Sequence, residues 1–216
     1  MKKFDIIITD TRILTEDYNI QNHINIGINN GTITYLSADS INGESAETIN
    51  GSHLLWMPGL TDAHMHTCQQ LLRGKILDEL PMIWTRIMLP FESTLTEEAV
   101  SISAKLASLE MIKGGTTSFI DAGGIHMDGA AKVYITSGLR GALTLSTMDD
   151  NKVPETMRAD CDQAISRLNS FYDTWNGSGD GMLQVFYSLR SLISCSESLI
   201  KGVFEAANSR NAMIEA

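Results

Sequence analysis

Five histidines are scattered through the 216 residues, and two of them stand two apart in the segment Pro58-Gly59-Leu60-Thr61-Asp62-Ala63-His64-Met65-His66. In an extended strand residues i and i+2 point to the same side. This spacing therefore sets two imidazoles next to each other, the donor arrangement that one divalent metal ion needs. Chance gives an H-x-H in such a composition about 0.1 times, which leaves core packing and metal ligation both open. Context favours ligation. The pair closes an apolar predicted strand at the start of a region of alternating strands and helices, and α/β enzymes place their chemistry at such strand ends. Asp62, two residues before His64 and on the same strand face, could orient a ligand imidazole as a hydrogen-bond acceptor, and Asp121 at the end of a later strand could do similar work.

The elements that must position these groups differ between two parts of the chain. Residues 1–57 have a β-rich pattern, since Phe4 to Asp10, His23 to Asn29 and Thr32 to Ser37 carry β-branched residues and Asn30-Gly31 is a two-residue hairpin signal. Short antiparallel strands are expected there. From Pro58 onward, strands are expected at Leu60 to His66, Thr116 to Ala122, Arg140 to Met148, Met182 to Leu189 and Ala212 to Ala216. A helix is expected from about Thr96 to Lys113, with Ile102, Leu106, Leu109 and Ile112 along one face and Gly114-Gly115 as its stop. Others are expected from after Pro154 to Trp175 and from Ser196 to Ser209. Strand, helix and strand in alternation imply right-handed crossovers and a parallel sheet, either open and doubly wound or part of a (β/α)8 barrel.

Composition narrows the function classes. The net charge is −10, and the sixteen Lys and Arg are spread evenly, seven in residues 1–108 and nine in 109–216. No phosphate-binding basic patch is built from that, so nucleic acid is not an expected partner. No apolar run approaches the roughly 18 residues that span a bilayer, so no membrane partner is expected either. Three cysteines, Cys68, Cys161 and Cys195, form an odd set without C-x-x-C spacing. That argues for a reducing compartment, and the chain reads as cytoplasmic.

PGLTDAHMH is followed by Gln69, by Leu71-Leu72-Arg73-Gly74, by Leu80-Pro81-Met82-Ile83-Trp84 and by Leu89-Pro90-Phe91-Glu92. This series resembles the amidohydrolase superfamily, and more closely its branch of deaminases and chlorohydrolases acting on purines, pyrimidines and triazines. Gly114-Gly115-Thr116-Thr117-Ser118-Phe119-Ile120-Asp121 is similar to that family's second barrel strand, and Gly138-Leu139-Arg140-Gly141 to the opening of the third. The resemblance implies an α/β fold. Residues 1–57 would be the N-terminal portion of a small β-sandwich, and residues 58–216 the first half, strands one to five, of a metal-bearing (β/α)8 TIM-like barrel.

It also implies one divalent metal, zinc or iron, held by His64 and His66 with a His after strand five and an Asp after strand eight. The remaining ligands and the acid/base groups would lie beyond Ala216. The chain would then be the N-terminal half of the enzyme, with the C-terminal half of the barrel as its partner and no turnover of its own. A metal in such a site lowers the pKa of bound water toward about 7 and so makes a nucleophile available at neutral pH.

Leu189-Arg190-Ser191 resembles a guanine-deaminase-like segment that usually begins Pro-Arg-Phe, and Gln69 falls where those enzymes have a base-contacting Gln. A guanidinium and an amide can together read a flat heterocycle. Leu189 and Ser191 replace the family's Pro and Phe, and Leu71-Leu72-Arg73-Gly74 is closer to adenosine-type and oxidised-guanine deaminases. Outside that resemblance the simpler reading is that Arg190 pairs with a surface carboxylate, since most arginines are exposed. Glu92 either touches a substrate hydroxyl or amine or caps the helix after Ser93. Trp84 either lines the pocket or packs with Ile83, Ile87 and Met88. His126, without a second histidine at ligand spacing, is a pocket candidate only.

The expected activity is hydrolytic deamination of a purine-like or related nitrogen heterocycle. A triazine-type chlorohydrolase and a non-catalytic binding or assembly subunit are the alternatives, and homo-oligomerisation is left open.

Overall fold

The structure, a computed structural model, describes residues 2–216 and divides into two compact units that meet in sequence at Pro58 and Gly59. In the first, β1 (Lys2–Leu14) is flanked by β2 (Ile20–Asn29) and β4 (Gly43–Asn50), with β3 (Thr32–Ser37) outside β2 and β5 (Leu55–Trp56) also paired to β1. The β2–β3 hairpin turns at Asn30 and Gly31, both left-handed with φ of 48° and 70°, the conformation a two-residue turn with two positive φ requires. Its small core is built on isoleucine: Ile8, Ile24 and Ile26 are buried, with Ile6, Ile13, Ile28 and Ile49 packed around them.

The pairing departs from the antiparallel expectation, because β4 and β5 run parallel to β1. Tight turns at Thr15–Asn19 and Asn30-Gly31 join β1 to β2 and β2 to β3. The segment after β3 instead crosses to the free edge of β1, and a strand that enters there runs with β1 rather than against it.

The second unit is α/β. Strands β6 (Leu60–Met65), β7 (Thr116–Asp121), β8 (Arg140–Leu143) and β9 (Leu183–Val185) form a parallel sheet in sequence order. The pair β10 (Tyr187–Ser188) and β11 (Ile214–Glu215) is also parallel. Phe186 N donates to Leu143 O at 3.0 Å, and Tyr187 N and Leu189 N donate to Met213 O and Glu215 O, which carries parallel pairing on to β11. Helices α2 (Glu97–Gly114), α3 (Met127–Ser137), α4 (Cys161–Trp175) and α6 (Glu197–Ser209) alternate with these strands. The one-turn helices α1 (Leu89–Glu92) and α5 (Ser178–Gly181) sit in connections. Among the described residues no helix is long and apolar enough to cross a membrane.

Helix α2 is capped by Thr96, whose side chain accepts from Ala99 N, and stops at left-handed Gly115. Its buried side is a different one from the side expected. Ile102, Leu109 and Ile112 are about half exposed, whereas Val100, Ser103, Ala104, Ala107, Ser108 and Met111 are buried. The reason is the close approach of α3: a Cβ added at Gly129 would meet Glu97 O and Ser101 Oγ at 2.7 Å. Small residues let the two backbones come together, and larger side chains are turned outward.

Two other boundaries differ from expectation for local reasons. Strand β8 ends at Leu143 rather than Met148, because Thr144 Oγ1 donates to Asp121 O and Ser146 N to Gly124 O, which draws the chain across the strand ends. The segment after Pro154 is a single 3-10 turn, Glu155–Met157, and α4 begins only where Asp160 caps it by accepting from Gln163 N.

Candidate active site

The C-terminal ends of β6, β7, β8, β10 and β11 bring together the groups that could do chemistry. On β6, the imidazoles of His64 and His66 lie with ring centroids 5.1 Å apart and planes at 88°. His66 Nδ1 is 3.0 Å from Gly123 O, just beyond β7. The Arg190 guanidinium, a donor only, also lies 3.4 Å from Nδ1, but the shorter contact is to the carbonyl, which only accepts and so favours the tautomer with the proton on Nδ1 and a lone pair on Nε2. His64 Nδ1 lies 3.5 Å from Glu215 Oε1 on β11. Burial first, and then the Arg190 guanidinium, pull His66 down to about 4, so the ring is neutral at pH 7. Two imidazoles, each with Nδ1 beside an oxygen acceptor and Nε2 unused, fit a borderline divalent ion such as zinc. Among the described residues no group of three or more His, Cys, Asp or Glu is arranged to hold a metal, so that fit rests on these two rings.

Behind His66 lies a buried polar frame. Asp121 is fully buried and accepts from Gly123 N at 2.9 Å and from the Thr67 hydroxyl, and Tyr134 OH is 2.6 Å from the same hydroxyl. Ser103 Oγ holds Thr67 O at 2.6 Å. Asp121 thus fixes both the residue after His66 and the residue whose carbonyl orients it. Burial raises the Asp121 carboxyl to about 6, against the hydrogen bonds that it accepts. Asp62 has a smaller part: its Oδ1 accepts from the His64 backbone N–H at 3.3 Å and not from an imidazole.

Arg190, just past β10, is 2% exposed and pairs at 2.7 Å with Glu92, which is wholly buried. The same guanidinium donates to Gly123 O at 2.9 Å and Ser146 Oγ at 3.3 Å. Gln69 Nε2 donates to Glu92 Oε1 at 2.5 Å, while Glu92 Oε2 is buried with no partner among the described residues. An unsatisfied buried carboxylate oxygen costs free energy unless a donor reaches it. Glu92 closes α1, and Ser93 N bonds back to Leu89 O, so its carboxylate serves this cluster rather than a helix cap.

Trp84 does both things open to it. It packs against the buried Leu89, Met148, Val153 and Met157, and it lines a cavity of about 230 Å3 with His64, His66, Arg190 and Glu215. Ser146, whose Oγ accepts from Arg190, lines a larger cavity of about 500 Å3 with His126 and Arg167. Gln69, Glu92, Arg190, Asp121 and the histidine pair therefore belong to one connected cluster, with Trp84 on its wall and Asp62 on its edge.

Sequence reasoning passed over Gly123, Thr67, Tyr134, Ser146 and Glu215. A carbonyl such as that of Gly123 has no side-chain signature. Glu215 had one, a carboxylate inside a short apolar strand at the end where such folds place function.

Comparison with known proteins identifies the family. A model of the "Amidohydrolase family" matches residues 55–216. A 5-methylthioadenosine/S-adenosylhomocysteine deaminase of Thermoanaerobacter pseudethanolicus is 29% identical over 214 residues, 97% of this chain and 48% of that protein. A 5'-deoxyadenosine deaminase of Methanosphaera stadtmanae is 32% identical over 210 residues, 95% of this chain and 47% of that protein. The chain thus spans about half the length of the curated relatives it matches. The crystal structure of an adenosine deaminase from Xanthomonas campestris with bound zinc superposes with a TM-score of 0.87 at 24% identity, covering 99% of this chain and 49% of that one. The chain belongs to the amidohydrolase family.

Proposed function

We propose that this chain is part of a metal-dependent aminohydrolase that deaminates a purine nucleoside or a related nitrogen heterocycle. The observation that carries the reading is the paired imidazoles, each with Nδ1 beside an oxygen acceptor and Nε2 free, facing a cavity walled by Trp84 and Arg190. The deaminases among the relatives favour loss of ammonia over loss of chloride. The parallel run from β6 to β11 supports assigning residues 58–216 to the first five strands of a (β/α)8 barrel, with 1–57 as part of a β-sandwich. The three free cysteines support a cytoplasmic location.

His64 and His66 would hold the ion, zinc before iron because the similar adenosine deaminase structure carries bound zinc. When bound, it supplies the Lewis acidity that makes water a nucleophile near neutral pH. The chain's own residues bind and orient. Trp84 offers a flat apolar wall for a planar ring. Glu92 is held at 2.7 Å by Arg190, and its unpartnered Oε2 accepts a hydrogen bond from a substrate hydroxyl or amine. Gln69, whose amide nitrogen is held by Glu92, has its carbonyl oxygen left to accept from the ring. Arg190 donates to Glu92, Gly123 and Ser146, which fixes the wall of the cavity that it lines.

The experiment is a panel of 5'-deoxyadenosine, 5-methylthioadenosine, guanine and a chlorotriazine, incubated with the zinc-loaded full-length protein while ammonia and chloride are measured. Ammonia from one of the adenosine derivatives, lost in His64→Ala and His66→Ala, is expected. Turnover that survives both substitutions contradicts the proposal, and chloride without ammonia replaces deamination with dechlorination.

A further inference from the structure

Two features of the site are left over once the metal and substrate roles are assigned: Glu215 and the open position of His64. The His64 side chain is 65% exposed, while the Glu215 side chain is only 18% exposed. A carboxylate is rarely enclosed without a reason. Its two oxygens have separate partners. Oε2 accepts from Ser188 Oγ at 3.4 Å on the adjacent strand β10, where Ser188 and Glu215 are register partners, and Oε1 lies 3.5 Å from His64 Nδ1. The carboxylate is thus braced by one strand and presented to the histidine of another.

We propose that Glu215 is the positioning residue of His64. The inference rests on His64 and His66 being metal ligands. Glu215 faces Nδ1, the ring nitrogen opposite the ligating Nε2, and no three-donor group that includes it is arranged around a metal position among the described residues. It therefore acts through the ring. A carboxylate on that side favours the tautomer with the proton on Nδ1 and a free Nε2 lone pair, restrains the ring plane and makes the ring a stronger donor. His66 receives the same service from a backbone carbonyl, which is neutral and set by the fold. His64 receives it from a charged side chain, so the donor strength of this one ligand is open to substitution without disturbing the backbone.

The test uses the full-length protein. Zinc affinity is measured by competition with a chromogenic chelator, and the His64 tautomer is read from imidazole nitrogen shifts of the metal-free protein. Glu215→Ala is expected to weaken zinc binding by about 10- to 100-fold and to mix the His64 tautomers while His66 keeps its own. Glu215→Gln, whose amide oxygen still accepts from Nδ1–H, is expected to recover most of the loss. Glu215→Met, of similar length but without the acceptor, carries the test where the alanine variant does not fold. Wild-type zinc affinity in the alanine or methionine variant, or a glutamine variant no better than methionine, overturns the assignment. Absence of zinc binding in the wild type, or indifference to His64→Ala, instead removes the metal reading on which the assignment stands.

Discussion

His66 and His64 stand two residues apart on one strand, yet the first is enclosed by Gly123, Thr67 and Asp121 while the second is mostly exposed beside a single carboxylate. Both would offer Nε2 to the same ion. One is placed by the fold itself, through hydrogen bonds to backbone and to buried side chains that fold with it. The other is placed by one side chain from the far end of the chain. A site built this way has a rigid wall and an adjustable wall, and substitutions on the two sides should read out differently.

The largest effect is expected where the rigid wall is broken. Arg190→Met leaves the Glu92 carboxylate buried without its countercharge, and removing one member of such a pair costs about 3–5 kcal/mol. Chemical denaturation should show that loss, and a variant within about 1 kcal/mol of wild type would mean that the Arg190–Glu92 pair does not hold this wall.

Next come the histidines. Each alanine variant should lose zinc affinity by about 100- to 1000-fold, since the roughly 10–16 kcal/mol of a structural zinc site is shared among about four ligands. Only His66→Ala should also lower the stability of the metal-free protein, by about 1–3 kcal/mol, because only its ring holds a partner inside the frame. Equal melting temperatures for the two variants would erase the contrast.

A third measurement sharpens it through pH. The folded Asp121 carboxyl, at about 6, lies above its ordinary value, so its neutral form is the one that folding favours. Its contribution is fully present below about pH 4 and is lost as pH rises through about 6. Asp121→Asn cannot ionise. Its stability relative to wild type should therefore improve by up to about 3 kcal/mol between pH 4 and pH 7, on top of a constant offset for the altered hydrogen bonds. A parallel pair of stability curves would show that Asp121 is not raised.

The smallest effect belongs to Asp62. Its contact is a 3.3 Å bond to the His64 backbone at the exposed edge, so Asp62→Asn should change stability by no more than about 0.5 kcal/mol. Zinc affinity should stay within about twofold of wild type, since Asn retains the acceptor oxygen. Asp62 and Asp121 look alike in sequence, as acidic residues near strand ends, and the two variants separate them.

What could be read from the residues follows the range of the interaction. The His64/His66 pairing, the Asn30-Gly31 turn and the Thr96 start of α2 are governed by neighbours within a few positions, and each is visible in the order of side chains. The buried face of α2 was not visible. Ser103, Ala104, Ala107 and Ser108 carry little hydrophobic signal, and what buries them is the fit of another backbone against them, a property of α3 as much as of α2. The frame around His66 was hidden for a related reason. Its acceptor is a carbonyl, and Thr67, Asp121 and Tyr134 are ordinary residues until the fold stacks them. The family resemblance brought Gln69, Glu92 and Arg190 into view, but not that they would bind one another so fully.

The Arg190 guanidinium holds Glu92, 98 positions away, and Gly123, 67 positions away. Contacts of that span are reached only after long loops have closed, at an entropic cost that the contacts themselves offset late. The Arg190 cluster is therefore expected to form late in folding, which folding and unfolding rates of its variants test. Substitutions within it should leave the folding rate nearly unchanged and appear as faster unfolding. The lifetime of the folded protein, and not only its activity, is then set in part by one arginine.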